Sequence, residues 1–107
     1  MTSEDVTAER EECERELRRI VDRLNSMPLT RAATAATEVH QSAAELVRLG
    51  RLWGVPIPVE ATLPTLEPQG FGSMLAVLGR DCLDVAGADT DLEPLLATLV
   101  SLRRALP

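Results

Sequence analysis

Residues 6–27 read VTAEREECERELRRIVDRLNSM, and this stretch decides the fold class. Val6, Cys13, Leu17, Ile20, Leu24 and Met27 recur in steps of three and four, interrupted only at Arg10. That spacing aligns side chains along one face of a helix, so residues 3–26 are predicted as an amphipathic helix with Ser3 as its N-cap. Glu11 precedes Arg15 and Glu14 precedes Arg18 by four positions, the favourable order for pairing on a helix surface. The remaining charges lie off the apolar stripe and form a solvated face.

Downstream, Asn25-Ser26-Met27-Pro28 interrupts the pattern, because proline lacks the amide proton a helix interior uses and restricts its predecessor. The stripe then resumes. Leu29, Ala32, Ala36, Val39, Ala43 and Leu46 predict a second helix over residues 29–49, with Gly50 as its stop. Three of these six seam residues are alanine, which admits a close partner. The short connection predicts an antiparallel hairpin between the first two helices.

Residues 50–69 contain Pro56, Pro58, Pro64 and Pro68, which forbid a regular helix and disfavour a central strand. Leu52, Trp53, Val55, Ile57, Val59, Leu63 and Leu66 make the segment too apolar for a solvated linker. It is expected to run as an extended strap over the helices. Phe71, Met74, Leu75, Leu78, Cys82 and Val85 then mark a third helix over residues 70–86 that ends near Gly87. Gly72, Ala76 and Gly79 provide a second, small-residue face on it. Thr90-Asp91-Leu92-Glu93 fits a capping box for a fourth helix over residues 91–106, striped by Leu92, Leu95, Leu96, Leu99, Leu102 and Leu106. The expected architecture is one all-α domain over residues 1–107, four-helix bundle-like, with a long N-terminal αα-hairpin and a Pro-rich strap before two shorter helices.

Composition narrows the function classes. The 107 residues are 45% apolar and 2% aromatic, enough for one modest core and too apolar for a disordered chain. No run approaches the roughly 20 apolar residues that cross a bilayer. All eleven basic residues are arginine, a skew that points to a GC-rich, bacterial coding genome. A net charge of −6 argues against nucleic acid, whose binding is driven by clustered cations. The start, Met-Thr-Ser-Glu-Asp, has neither the basic end nor the apolar run of a secretory signal, so the cytoplasm is the expected location. Cys13 and Cys82 are far apart in sequence and read as free, buried thiols.

Chemistry-bearing patterns are sparse. His40 is the only histidine, which excludes sites needing two. An acid/base role would need Glu38 or Glu45 beside it, yet sequence neighbours point to different helix faces, so a boundary histidine satisfied by a hydrogen bond is the expectation. Asp81 and Asp84 form an i,i+3 carboxylate pair without an EF-hand or Glu-x-x-His pattern. Gly70-Phe71-Gly72 opens a helix without the third glycine of a dinucleotide motif, and the strap contains no PxxP. No catalytic residue, cofactor or metal ligand is assigned.

The small size, acidic balance, two heptad-patterned helices and central Trp53-Gly54 step resemble the WXG100 family of secreted helical-hairpin proteins. In that family a Trp-x-Gly turn joins two long helices, which act as dimers and use specialised secretion. Here the two residues are adjacent, the predicted turn lies near Pro28, and a strap and two helices follow. The resemblance implies a WXG100-like secreted protein as a minor alternative. The main expectation is a non-enzymatic interaction or oligomerisation module, a homodimer or one bound to a protein partner, with Leu17, Ile20, Leu24 and Trp53 as interface candidates. The competing expectation is a small-molecule-binding or enzyme-accessory protein with a pocket between strap and helices around Trp53, Met74 and His40.

Overall fold

The computed structural model describes residues 3–58 and 60–107, with side chains from Thr7 onward apart from residue 59. The stripes fold into five α-helices: α1 (Ser3–Ser26), α2 (Leu29–Ala33), α3 (Ala36–Trp53), α4 (Phe71–Val85) and α5 (Glu93–Ala105). A 3-10 turn over Pro68–Gly70 leads into α4, and no strand occurs among the described residues. The expected bundle-like all-α architecture is therefore found. The cap assigned to Ser3 and the stripe position Val6 lie outside the described side chains.

The expected helix over 29–49 is two helices. In an unbroken helix the Arg31 carbonyl would accept from the amide of Ala35. Here Thr34 takes it, through its hydroxyl at 2.7 Å and its amide at 3.1 Å, while the Ala35 amide turns back to Ala32. A threonine hydroxyl competing for a backbone acceptor bends the chain at this point. The register shifts accordingly: Ala32 and Ala35 are buried, and Leu29 is 54% exposed and leaves the seam.

Gly50 does not stop the helix. It is buried inside α3, where an added Cβ would stand 3.3 Å from Val55 Cγ2 and 3.7 Å from Cys82 Sγ. The stop is Gly54, at φ +112°, whose amide and that of Val55 both return to the Gly50 carbonyl. Only glycine enters this left-handed region without a Cβ penalty. Trp53-Gly54 thus closes α3 as a cap, unlike the hairpin turn of the WXG100 plan.

Helix pairing also differs from the expected hairpin. α1 packs on α4 and α5, and α3 packs on the same two helices, whereas α1 and α3 are not a major packed pair. The cyclic order is α1–α4–α3–α5, so the two long helices are diagonal. Small residues permit this arrangement: Gly79 of α4 receives Leu17 of α1, and Gly72 lies against Asn25. On the other side the Cys82 thiol donates to the Leu46 carbonyl of α3 at 3.2 Å. Ile20, Leu46, Phe71, Leu75, Leu95 and Leu99 are among the side chains sealed in a single core. Each such side chain contributes about 1.5–3 kcal/mol by leaving water.

The capping box does not form. Thr90 accepts from the Gly87 amide at 2.9 Å and orders the preceding loop, while Asp91 accepts from the amide of Glu93 at 3.0 Å, where α5 starts at Glu93-Pro94. The described residues of the proline-rich segment 54–67 are irregular, as expected, and its Leu63 and Leu66 pack against the core, as does Trp53 of α3. Arg51 ties its first half to α3 by donating to the carbonyls of Pro58 (2.8 Å) and Ala61 (3.2 Å). Among the described residues no helix is long and apolar enough to cross a membrane.

Candidate functional site

Three of the four interface candidates face inward. Leu17, Ile20 and Leu24 belong to the core within a single chain, which removes them as an exposed seam. The physical reason is the diagonal arrangement: α1 lies against two helices at once, and its stripe fills the cleft between α4 and α5. Trp53 is half-buried against the core at the end of α3.

What α1 leaves outside is a shallow groove shared with α4. Its floor is Leu17, Val21, Ala76 and Val77, and its volume is about 430 Å³. Val77 is 59% exposed, a large apolar side chain in open contact with water. The rim carries Glu14, Arg18, Asp22 and Arg80. Two carboxylates and two guanidiniums balance there, within a chain whose overall charge is −6. Arg80 lies 3.6 Å from Glu14 and 3.8 Å from Asp84, which places Asp84 in an ion pair with a helix neighbour. The sequence signal for this face was the run Ala76-Val77 beside Gly79: the glycine draws α1 in and leaves Val77 on the outer edge.

A second groove, of about 700 Å³, lies where α2 and α3 meet the strap. His40, Gln41, Leu66, Glu67 and Phe71 are among the residues that line it. The expected pocket around Trp53, Met74 and His40 is therefore corrected: His40 opens onto a groove, but Trp53 and Met74 do not line it. Met74 is turned into the core. His40 Nδ1 donates to the Ala36 carbonyl at 2.8 Å, the hydrogen-bonded boundary histidine expected from the sequence. Its Nε2 accepts from the Leu66 amide at 3.4 Å, and its ring meets Phe71 edge to face at 5.4 Å. Glu45, a conceivable acid/base partner, is instead held bidentately by Arg48, whose hydrogen bonds lower its carboxyl from the ordinary value.

The remaining polar groups join helices. Glu16, buried on α1, accepts from Arg103 Nε of α5 at 2.5 Å, with Arg19 3.6 Å away. Arg10 reaches the Leu83 carbonyl of α4, and Arg23 the Pro107 carbonyl beyond α5. Both cysteines are free and buried. Burial, then the charges of Glu9, Glu12 and Glu93, push the Cys13 thiol up to about 12, and burial with Asp81 pushes Cys82 up to about 11. Protonated, enclosed thiols are poor nucleophiles and poor metal ligands. Among the described residues no cluster of three or more His, Cys, Asp or Glu side chains could hold a metal ion. Gly72, from the Gly70-Phe71-Gly72 helix opening, is buried against Asn25 and serves helix packing.

Comparison of the chain with models of known protein families, with curated proteins and with solved structures finds no match in any of the three.

Proposed function

We propose that this chain is a non-enzymatic homodimerisation module of the cytoplasm that docks a second copy of itself on the α1–α4 groove. The observation that carries this reading is Val77, exposed on an apolar floor whose rim bears both signs of charge. Two-fold pairing brings the same patch on both subunits together. A rim with equal numbers of acids and bases suits that geometry: Arg80 and Glu14 pair within each chain, which leaves Arg18 of one copy to face Asp22 of the other. Elsewhere two copies at −6 repel; here the net charge facing across the contact is zero. Rim charges of this kind fix partner choice and orientation more than affinity. The buried, protonated thiols are in keeping with a reducing compartment.

Sedimentation equilibrium at micromolar concentration tests the reading. The wild-type chain is expected to sediment as a dimer and Val77→Asp as a monomer of unchanged helicity. Val77 is the residue to change because it is exposed, whereas an aspartate at Leu17 would enter the core. A wild-type chain that stays monomeric across the concentration range overturns the reading.

A further inference from the structure

We propose that His40 is a protonation-sensitive latch that holds the end of the strap onto α3 and releases it when the ring gains a second proton. The hydrogen bonds fix the tautomer. A carbonyl can only accept, so Nδ1 carries the proton that goes to Ala36 O. An amide can only donate, so Nε2 is bare where it meets the Leu66 N–H. The neutral ring satisfies both partners, and the imidazolium satisfies one: its Nε2–H confronts the Leu66 N–H, donor against donor. The Leu66 bond, at 3.4 Å, is already near the outer limit for such a contact.

The latch stands at a decisive place in the strap. Arg51 secures the first half through Pro58 and Ala61, and the contact with His40 secures the second half, just before the 3-10 turn into α4. Around the ring, α4 contributes Phe71 and no titratable group before Arg80, α2 carries Arg31 as its only charge, and α3 itself carries Glu38, Glu45, Arg48 and Arg51. Among these and the strap's charges, Glu67 is the one that lines the groove with His40. Protonation therefore breaks the backbone contact, loosening Leu66 and widening the groove of about 700 Å³ behind it. Histidine is the side chain that makes this change between about pH 5 and 8.

Amide hydrogen exchange and ring ¹⁵N shifts on the full chain test the latch. At pH 8 the ring is expected as the Nδ1–H tautomer. Between pH 8 and pH 5 the protection factor of the Leu66 amide, corrected for intrinsic exchange, is expected to fall about fivefold, the loss of one hydrogen bond. The amide of Leu75 in the core is expected to keep its protection. In His40→Ala, and in the more conservative His40→Gln, protection of Leu66 is expected to be independent of pH. An Nε2–H tautomer at pH 8, an unchanged Leu66 amide, a fall shared equally by Leu75, or the same pH response in both variants overturns the proposal.

Discussion

Gly79→Ala puts a close approach of α1 and α4 under direct test. An alanine Cβ at this position would stand 2.7 and 2.9 Å from the two terminal methyls of Leu17. Ordinary carbon contacts sit at about 3.5–4.0 Å, so Leu17 or the α1 backbone must retreat by roughly 0.7–1 Å. Leu17 is buried and can move only outward, over the groove it shares with Val21 and Val77. Overpacking of this kind costs about 1–3 kcal/mol, while replacing a mid-helix glycine by alanine returns about 1 kcal/mol of helix propensity. The expected balance is a loss of about 1 kcal/mol, read as a fall of about 5 °C in Tm for a domain of this size. Thermal and urea unfolding followed by circular dichroism measure it. Leu17→Ala alone is expected to cost about 2–5 kcal/mol, because it empties a core site. With both changes the new methyl has room, and the total is expected to fall short of the sum by about 1–2 kcal/mol. A stabilised Gly79→Ala whose effect adds independently to that of Leu17→Ala would refute the close approach of α1 and α4.

The other expectations concern alkaline stability and two neighbouring glycines. Both thiols have folded pKa values raised from 9.0, to about 12 and about 11, so the folded state holds more protons than the unfolded state above pH 9. Their contribution is complete below that pH and is lost as pH rises through about 11, at up to about 1.4 kcal/mol per pH unit for each thiol. The chain has no tyrosine and no lysine, so urea unfolding at pH 8 and pH 10.5 isolates this effect, and Cys13→Ala combined with Cys82→Ala is expected to flatten it. Gly54→Ala, at φ +112°, is expected to cost about 1–2 kcal/mol in the same assay although its added methyl meets nothing within 4 Å. Gly50→Ala is expected to change stability by less than about 1 kcal/mol, because Val55 at the start of the strap can yield while α3 gains helix propensity.

The apolar stripes were legible because periodicity depends on local geometry alone. Cys13, Leu17, Ile20 and Leu24 on α1, and Leu95, Leu99 and Leu102 on α5, stand in the core as their spacing required. Partner choice was not legible, because a stripe states which face is buried and not against what. A short link from α1 argued for a hairpin, and the bend at Thr34 sent α3 to the opposite corner instead. The glycines carry the same lesson at shorter range. Gly50 and Gly54 both look like helix stops, and the choice between them depends on whether the backbone is needed against Val55 and Cys82, a tertiary fact. Thr90 fits a capping box by type and spacing, but its hydroxyl found the Gly87 amide first. At the candidate sites, His40 was correctly read as a satisfied boundary histidine, whereas its second partner, Leu66, came from a proline-rich segment with no periodicity to place it. The α1–α4 face escaped notice because Val21 and Val77 lie off the two stripes, where single apolar residues are ordinary.

The diagonal placement of α1 and α3 also sets the order in which the chain can gain its structure. The first 53 residues hold two long amphipathic helices that scarcely touch one another, and every apolar face among them is completed by α4 or α5. Such a half has local helix propensity but no core of its own, and an isolated helix in water is marginal. During synthesis α1 and α3 must therefore wait, with their stripes open to solvent or to other proteins, until roughly the last helix has emerged. Contacts that span so much of the sequence slow folding relative to a bundle of nearest-neighbour hairpins. The arrangement makes the native state all-or-none: Leu95, Leu99 and Leu102, near the end of the chain, bring together what its beginning cannot.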